Sequence, residues 1–362
     1  MKYIAEYRLL TFYKFVDVEN PKEECLEHLT FTNDIGMKGR IYIGEEGISS
    51  TVTGNLGQIK AYKLYLQNHP LWKDIPDIDV KSSKVDGHQF PRMQVKVRDE
   101  IVVLGKKYNK KQVEEAGNRM NIEEFKDLLD NKNPEDYVVL DMRNNHEYKL
   151  GHFKNAIRAN TLNFRDLEEN IEQYKKEFGD KMVITYCTGG IRCEKSTVML
   201  QEAGLKNTYQ LDGGVVKYIN TYNDGNWEGN LYVFDDRVSQ TVGDKSTHTT
   251  IGECVLSGKQ TDNCENCRNS SCNARLIVDR EEYISHAGFC SKECADMALE
   301  TLIIKTDTSF DKVQYKKEKG VAKRYPKLAP DIEAKLRKHL SNILEGVNFK
   351  HKTSQKEDFV ID

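Results

Sequence analysis

Alternating and helically spaced apolar positions divide the chain into a strand–helix series. Leu9-Leu10-Thr11-Phe12-Tyr13-Lys14-Phe15 reads as a strand. From Pro21 to about Thr32 the pattern becomes a charged amphipathic helix, with Asn20 as N-cap and Pro21 at the first helical position. Arg40-Ile41-Tyr42-Ile43 alternates as a strand, Glu45-Glu46-Gly47 makes a turn, and Ile48 to Val52 is a β-branched strand. Leu56 to Leu66 supplies a second helix. Met93-Gln94-Val95-Lys96-Val97-Arg98 closes the series, its alternation placing Gln94, Lys96 and Arg98 on one face. The order β-α-β-β-α-β predicts a ferredoxin-like domain over residues 1–104. Its polar face admits two readings: a solvated surface, or an RNA-binding surface that uses Lys96 and Arg98.

Residues 105–118 begin Gly105-Lys106-Lys107-Tyr108-Asn109-Lys110-Lys111 and are expected to form an exposed linker. A second domain is expected over 119–230, its first helix capped by Asn121. Val138-Val139-Leu140 is a short buried strand ending at Asp141, and a helix covers about Leu167 to Phe178. Met182-Val183-Ile184-Thr185-Tyr186 is a strand ending at Cys187, and Thr208-Tyr209-Gln210-Leu211 one ending at Asp212. Strands alternating with helices imply a parallel sheet, whose loops at the strand carboxyl ends form the site.

One of those loops carries chemistry. Cys187-Thr188-Gly189-Gly190-Ile191-Arg192 places a thiol between a buried strand and the start of a helix. Successive N–H groups in such a loop form an anion nest, and the helix adds the positive end of its dipole. With Arg192 they predict a lowered thiol pKa and a nucleophilic Cys187, cradled by Thr188, Gly189, Gly190 and Ile191. Arg192 either stabilises anionic charge at the loop or pairs with a carboxylate such as Glu147. Cys193, six positions on, is either a resolving thiol for an oxidised or persulfidated Cys187 or a packed thiol. Asp141 and Arg143 read as structural anchors. His152, following Gly151 at a turn, reads as a packing or capping residue, with a general acid or base as the alternative.

Composition refines this. The 362 residues are 38% hydrophobic and 31% charged, with a net charge of −3, which describes a polar globular protein of two or three domains. No apolar stretch approaches a membrane span, and the N-terminus lacks the apolar core of a signal peptide, so the cytoplasm is expected. Nine cysteines then suggest metal ligands or reactive thiols rather than disulfides. In 231–300, Cys267-x4-Cys272 and Cys290-x3-Cys294 have the spacing of two knuckles around a tetrahedral structural zinc, with Cys264 as an alternative to Cys272, His286 a weaker candidate and Cys254 left over. Residues 301–362 form a basic tail containing Lys316, Lys317, Lys323 and Arg324 beside Tyr315 and Tyr325, with an amphipathic helix near 331–344. Such a surface suits either solvent or RNA phosphates and bases.

The motifs also carry a resemblance. Asp141-x-Arg143, Glu147, Gly151-His152 and the Cys-x-x-Gly-x-Arg loop, with Asp212-Gly213-Gly214, resemble the rhodanese pattern. Four residues separate Cys187 from Arg192, whereas the related dual-specificity phosphatases have five; the shorter loop argues against phosphate chemistry. With Phe12-Tyr13-Lys14, Glu46-Gly47-Ile48 and Lys96-Val97-Arg98-Asp99-Glu100 the set resembles the bacterial oxygen-dependent tRNA uridine hydroxylases over most of residues 8–295. The resemblance implies an α/β and α+β multidomain chain: an N-terminal ferredoxin-like domain, a central rhodanese-like parallel-sheet domain and a C-terminal cysteine-rich zinc region. It implies tRNA as partner, O2 as co-substrate, wobble uridine converted to 5-hydroxyuridine, and Cys187 as the essential cysteine. No motif names the electron donor. A sulfurtransferase that passes a Cys187 persulfide to a thiol or tRNA-thiolation acceptor is the alternative. Family members often carry further cysteine pairs, where this chain has Ser257 and Val278-Asp279-Arg280-Glu281; one zinc is therefore expected.

Overall fold

The computed structural model describes residues 6–297, apart from 74, 76–81, 247, 270, 271 and 273, together with Lys338. The N-terminal unit runs β1 (Tyr7–Phe15), α1 (Pro21–Asp34), β2 (Lys38–Gly44), β3 (Gly47–Asn55), α2 (Leu56–Asn68), β4 (Ser82–Val85) and β5 (Met93–Val97). Asn20 caps α1 by accepting the Glu23 N–H, and Asn55 and Gln58 form a reciprocal capping box on α2. Leu10, Phe12, Ile41, Ile43 and Val52 bury one sheet face beneath the helices with Tyr62 and Trp72. Each such side chain contributes about 1.5–3 kcal/mol by leaving water.

The sheet order is β4-β1-β3-β2-β5. Its first four strands, mutually antiparallel, have the ferredoxin-like arrangement, but the closing strand differs from expectation. The fourth strand is Ser82–Val85, and Met93–Val97 adds a fifth strand parallel to β2. Ser82-Ser83-Lys84-Val85 has one apolar residue and sits at the sheet edge, so alternation does not reveal it.

The segment at 105–118 is not an exposed linker. It contains α3 (Lys110–Glu115), and Tyr108, Val113 and Ala116 are buried in the core of the next unit together with Ile101 and Leu104. Its lysines lie on the outer face, which gave the stretch its polar composition.

The central unit continues with β6 (Arg119–Met120), α4 (Ile122–Asn131), β7 (Tyr137–Asp141), α5 (Asn145–Leu150), β8 (Gly151–Phe153), β9 (Ala156–Arg158), α6 (Ile171–Phe178), β10 (Met182–Tyr186), α7 (Ile191–Glu202), β11 (Thr208–Leu211) and α8 (Gly214–Tyr222). The expected helix from Leu167 begins instead as a 3-10 segment, Phe164–Asn170, before α6. β6-β11-β10-β7-β9 form a wholly parallel sheet. β10 is its middle strand, and helices cover both faces with separate apolar cores. A loop at the end of β10 therefore sits over the sheet's centre.

The C-terminal unit starts with β12 (Trp227–Tyr232), which pairs with β8 and with β13 (Ser239–Thr241). β14 (Cys264–Asn266) pairs with β15 (Arg275–Ile277), followed by α9 (Arg280–Ser285). Cys264 and Ile277 pack with Leu150 at the end of α5. Among the described residues no helix is long and apolar enough to cross a membrane.

Candidate active site

Cys187 follows β10 directly and is fully buried. The Gly190 N–H points at its sulfur, 3.1 Å away. Burial alone would keep the thiol protonated. Against burial act the Cys193 thiol, which hydrogen-bonds the sulfur, the Arg192 guanidinium, and the backbone N–H groups of Arg192 and Cys193. These bring Cys187 down to about 5. Burial and its donation to Cys187 hold the Cys193 thiol well above its ordinary value. At neutral pH the pair is a thiolate beside a thiol.

The loop is shaped from two sides. Gly190 has φ +98°, a left-handed conformation suited to glycine, and a Cβ there would lie 2.8 Å from the Tyr13 hydroxyl. On the other side, the Val215 and Val216 N–H groups bond the carbonyls of Cys187 and Thr188, each at 3.0 Å. Gly214 has φ +66°, and a Cβ there would sit 2.4 Å from the Cys187 carbonyl. The Val215 and Val216 N–H groups, brought close by Gly214, are thus a backbone latch on the cysteine loop.

Arg192 adopts both of the roles left open by the sequence. Its guanidinium lies near the thiolate and forms a two-pronged pair with Glu147, at 2.6 and 2.8 Å. It also donates to Thr188 Oγ1 at 3.3 Å. Burial would raise the Glu147 carboxyl, but Arg192 holds it well below the usual range. Asp141 and Arg143 form a fully buried pair at 2.6 Å; Arg143 also donates to the Gly151 carbonyl, and Tyr186 Oη donates to Asp141. They fix the β7–α5 junction. His152 stacks on Tyr148, ring centroids 4.0 Å apart, with Nδ1 at 2.9 Å from the Tyr148 carbonyl.

The first turn of α7 reveals a set of residues that motif reading left unassigned. Glu194 accepts from Tyr13 Oη at 2.7 Å, from Arg119 at 2.9 and 3.0 Å, and from Gln210 at 3.1 Å. Lys195, fully buried, meets Glu46 and Glu100, each at 2.8 Å. Burial, then the Glu194 carboxylate, hold the Tyr13 phenol well above its ordinary value, so it donates. The N-terminal motifs thus converge on the helix that starts at the cysteine loop. The only signal in the sequence was two opposite charges, Glu194 and Lys195, at the start of a helix that follows a buried strand; where such a helix is buried, as it is here, the charges require partners, but nothing in the sequence names them.

The cysteine-rich unit brings Cys267, Cys272, Cys290 and Cys294 together, with all four sulfurs within 4.8 Å of one another. Cys290–Cys294 is 3.4 Å and Cys272–Cys290 3.8 Å. A tetrahedral zinc with Zn–S of about 2.3 Å holds its sulfurs about 3.8 Å apart, so this four-cysteine cluster fits a metal ion. Cys254 and Cys264 are buried outside the cluster, and His286 bonds within its own helical turn. Lys96 and Arg98 are exposed on the open side of the N-terminal sheet. Lys316, Lys317, Lys323 and Arg324 lie outside the described residues.

Away from the loop, Glu24, Glu27, Tyr65 and His69 line a cavity of about 500 Å³. Its carboxylates already accept from Trp72 and Tyr65, at 3.1 and 3.0 Å.

A parallel sheet with a four-spaced Cys–Arg loop on its middle strand defines a rhodanese-type domain, and three family matches divide the chain as the fold does. The UPF0176 acylphosphatase like domain matches residues 7–101, the Rhodanese-like domain 121–221 and the Rhodanase C-terminal 228–295. A Staphylococcus saprophyticus protein named tRNA uridine(34) hydroxylase is 37% identical over 80% of this chain and 90% of its own length. Proteins of the same name from Staphylococcus carnosus and Bacillus licheniformis are 36% and 35% identical, over 80% and 87% of this chain and 90% and 96% of theirs. The chain belongs to the tRNA uridine(34) hydroxylase family.

Proposed function

We propose that this protein hydroxylates the wobble uridine of tRNA at C5, giving 5-hydroxyuridine, with O2 as co-substrate. Insertion of one oxygen atom sends the other to water, with two electrons and two protons from a reductant. The observation that carries the reading is the convergence at α7: Tyr13, Glu46 and Glu100 of the N-terminal unit brace the Cys187 loop through Glu194 and Lys195. A free-standing sulfur carrier has no need of that docking; an enzyme that presents a large RNA to the loop does.

In this reading Cys187 is the nucleophile and Arg192 sustains its negative charge. Cys193, whose thiol donates to that sulfur, is placed to resolve an oxidised Cys187. Zinc held by Cys267, Cys272, Cys290 and Cys294 is structural, since four thiolates leave no open position for substrate. Lys96 and Arg98, with Lys316, Lys317, Lys323 and Arg324 of the tail, bind tRNA phosphates. The enzyme works in the cytoplasm. Nucleoside mass spectrometry of tRNA from a deletion strain tests the reading: the wild-type gene restores 5-hydroxyuridine and Cys187→Ala does not. Restoration by Cys187→Ala removes Cys187 from the chemistry.

The low-pKa thiolate in a rhodanese loop favours one second reading, transfer of a Cys187 persulfide to a thiol or tRNA-thiolation acceptor. Incubation with thiosulfate followed by intact-mass analysis detects sulfur on Cys187, and turnover with cyanide tests its transfer.

A further inference from the structure

The helices cover only one face of the N-terminal sheet. On the other face, strand register aligns side chains in rows. Tyr13 pairs with Ser49, Ser49 with Tyr42, and Tyr42 with Lys96, across β1, β3, β2 and β5. The adjacent row is Thr11, Thr51, Arg40 and Gln94. Four strands at about 4.8 Å spacing make each row roughly 14 Å long. The first row begins at Tyr13, whose hydroxyl bonds Glu194 and abuts Gly190 of the cysteine loop. It ends among cations: Arg40, Lys96 and Arg98 are exposed, and none has a carboxylate partner among the described residues. Nearby Glu45 and Glu100 are engaged by Lys107 and Lys195. The Arg98 guanidinium lies over the Tyr42 ring, 4.8 Å from its centroid, so a planar cation already occupies that face.

We infer that this open sheet face binds single-stranded anticodon-loop nucleotides, with Tyr42 stacking a base and Arg40, Lys96 and Arg98 on phosphates. The inference rests on the tRNA reading above and adds where the loop lies. A half-buried tyrosine among unpaired cations suits unstacked RNA bases, which every π-face accepts, and a sheet of this size accommodates two or three of them. Duplex RNA offers no splayed bases to such a ring. The row also continues into the wall of the Cys187 loop, so a strand lying along it leads toward the sulfur.

The test is fluorescence anisotropy with the full-length protein and an anticodon stem-loop carrying uridine at the wobble position. Tyr42→Ala weakens binding about tenfold, and Tyr42→Phe restores it. The Arg40→Ala/Arg98→Ala pair lowers the slope of log affinity against log salt by about 0.7 for each phosphate that is no longer neutralised. Lys110→Ala/Lys111→Ala, on the outer face of α3, binds within about twofold of wild type. The tRNA reading is checked separately by restoration of 5-hydroxyuridine in a deletion strain. If the wild type restores it while the Tyr42 and arginine variants bind unchanged, the surface is wrong and the reading stands. If the wild type neither binds nor restores, both fall. A wild-type dimer that Tyr42→Ala dissociates, seen by light scattering without RNA, makes the face an interface between copies and overturns the assignment.

Discussion

Arg192 and Glu147 face each other with two parallel hydrogen bonds, 2.6 and 2.8 Å long, although 45 residues separate them in sequence. The Glu147 side chain is fully buried and that of Arg192 is 8% exposed. Neither is replaceable alone, because removing one leaves a buried charge without its partner.

Glu147→Gln is therefore expected to destabilise the protein by roughly 3–5 kcal/mol at neutral pH, read from the urea midpoint. The folded-state carboxyl lies below its ordinary value of about 4.3, so its contribution is present above that pH and fades as pH falls through the folded value. The gap between wild type and Glu147→Gln should thus narrow in acid.

The Cys187 thiolate is expected to persist down to about pH 5. Ultraviolet thiolate absorbance, wild type minus Cys187→Ala, should inflect there instead of near the ordinary value of about 8.5. In Arg192→Gln the inflection moves upward. An unmoved inflection would assign the depression to the loop's N–H groups and Cys193 alone.

Tyr13→Phe removes one hydrogen bond to a buried carboxylate and is expected to cost about 1.5–3 kcal/mol. Because that bond spans the two units, limited proteolysis should cut the variant faster between residues 99 and 118 than in wild type. Equal cutting would mean that the Lys195 pairs and the packing of Phe15 hold the units together without that bond.

Purified protein is expected to contain one zinc per chain by elemental analysis. Cys272→Ser should lower the occupancy strongly, whereas Cys254→Ser and Cys264→Ser retain the metal. Retention by Cys272→Ser with loss in Cys264→Ser would exchange the two ligands.

Most of the strand–helix order was legible because buried strands such as Met182–Tyr186 and alternating ones such as Lys38–Gly44 carry strong apolar periodicity. β4 was not, since an edge strand needs few apolar residues to stay paired. The 105–118 segment conceals its burial for a related reason: Tyr108, Val113 and Ala116 form its buried face, but lysines outnumber them. At the site, the cysteine loop, Arg192 and the four clustered cysteines were readable from spacing. The ring of partners around Glu194 and Lys195 was not, because Tyr13, Glu46, Glu100 and Arg119 meet them only in the folded chain.

The latch between the Cys187 loop and α8 is made of peptide groups: the Val215 and Val216 N–H groups and the carbonyls of Cys187 and Thr188. Only the exposed α8 positions, Asn220 and Thr221, can therefore vary freely, because Val215 and Tyr218 are core residues as well. At Gly214 a single added methyl is intolerable. A saturation scan of residues 212–222 should show intolerance at Gly213 and Gly214 for backbone reasons and at Val215 and Tyr218 for packing, with tolerance at Asn220 and Thr221.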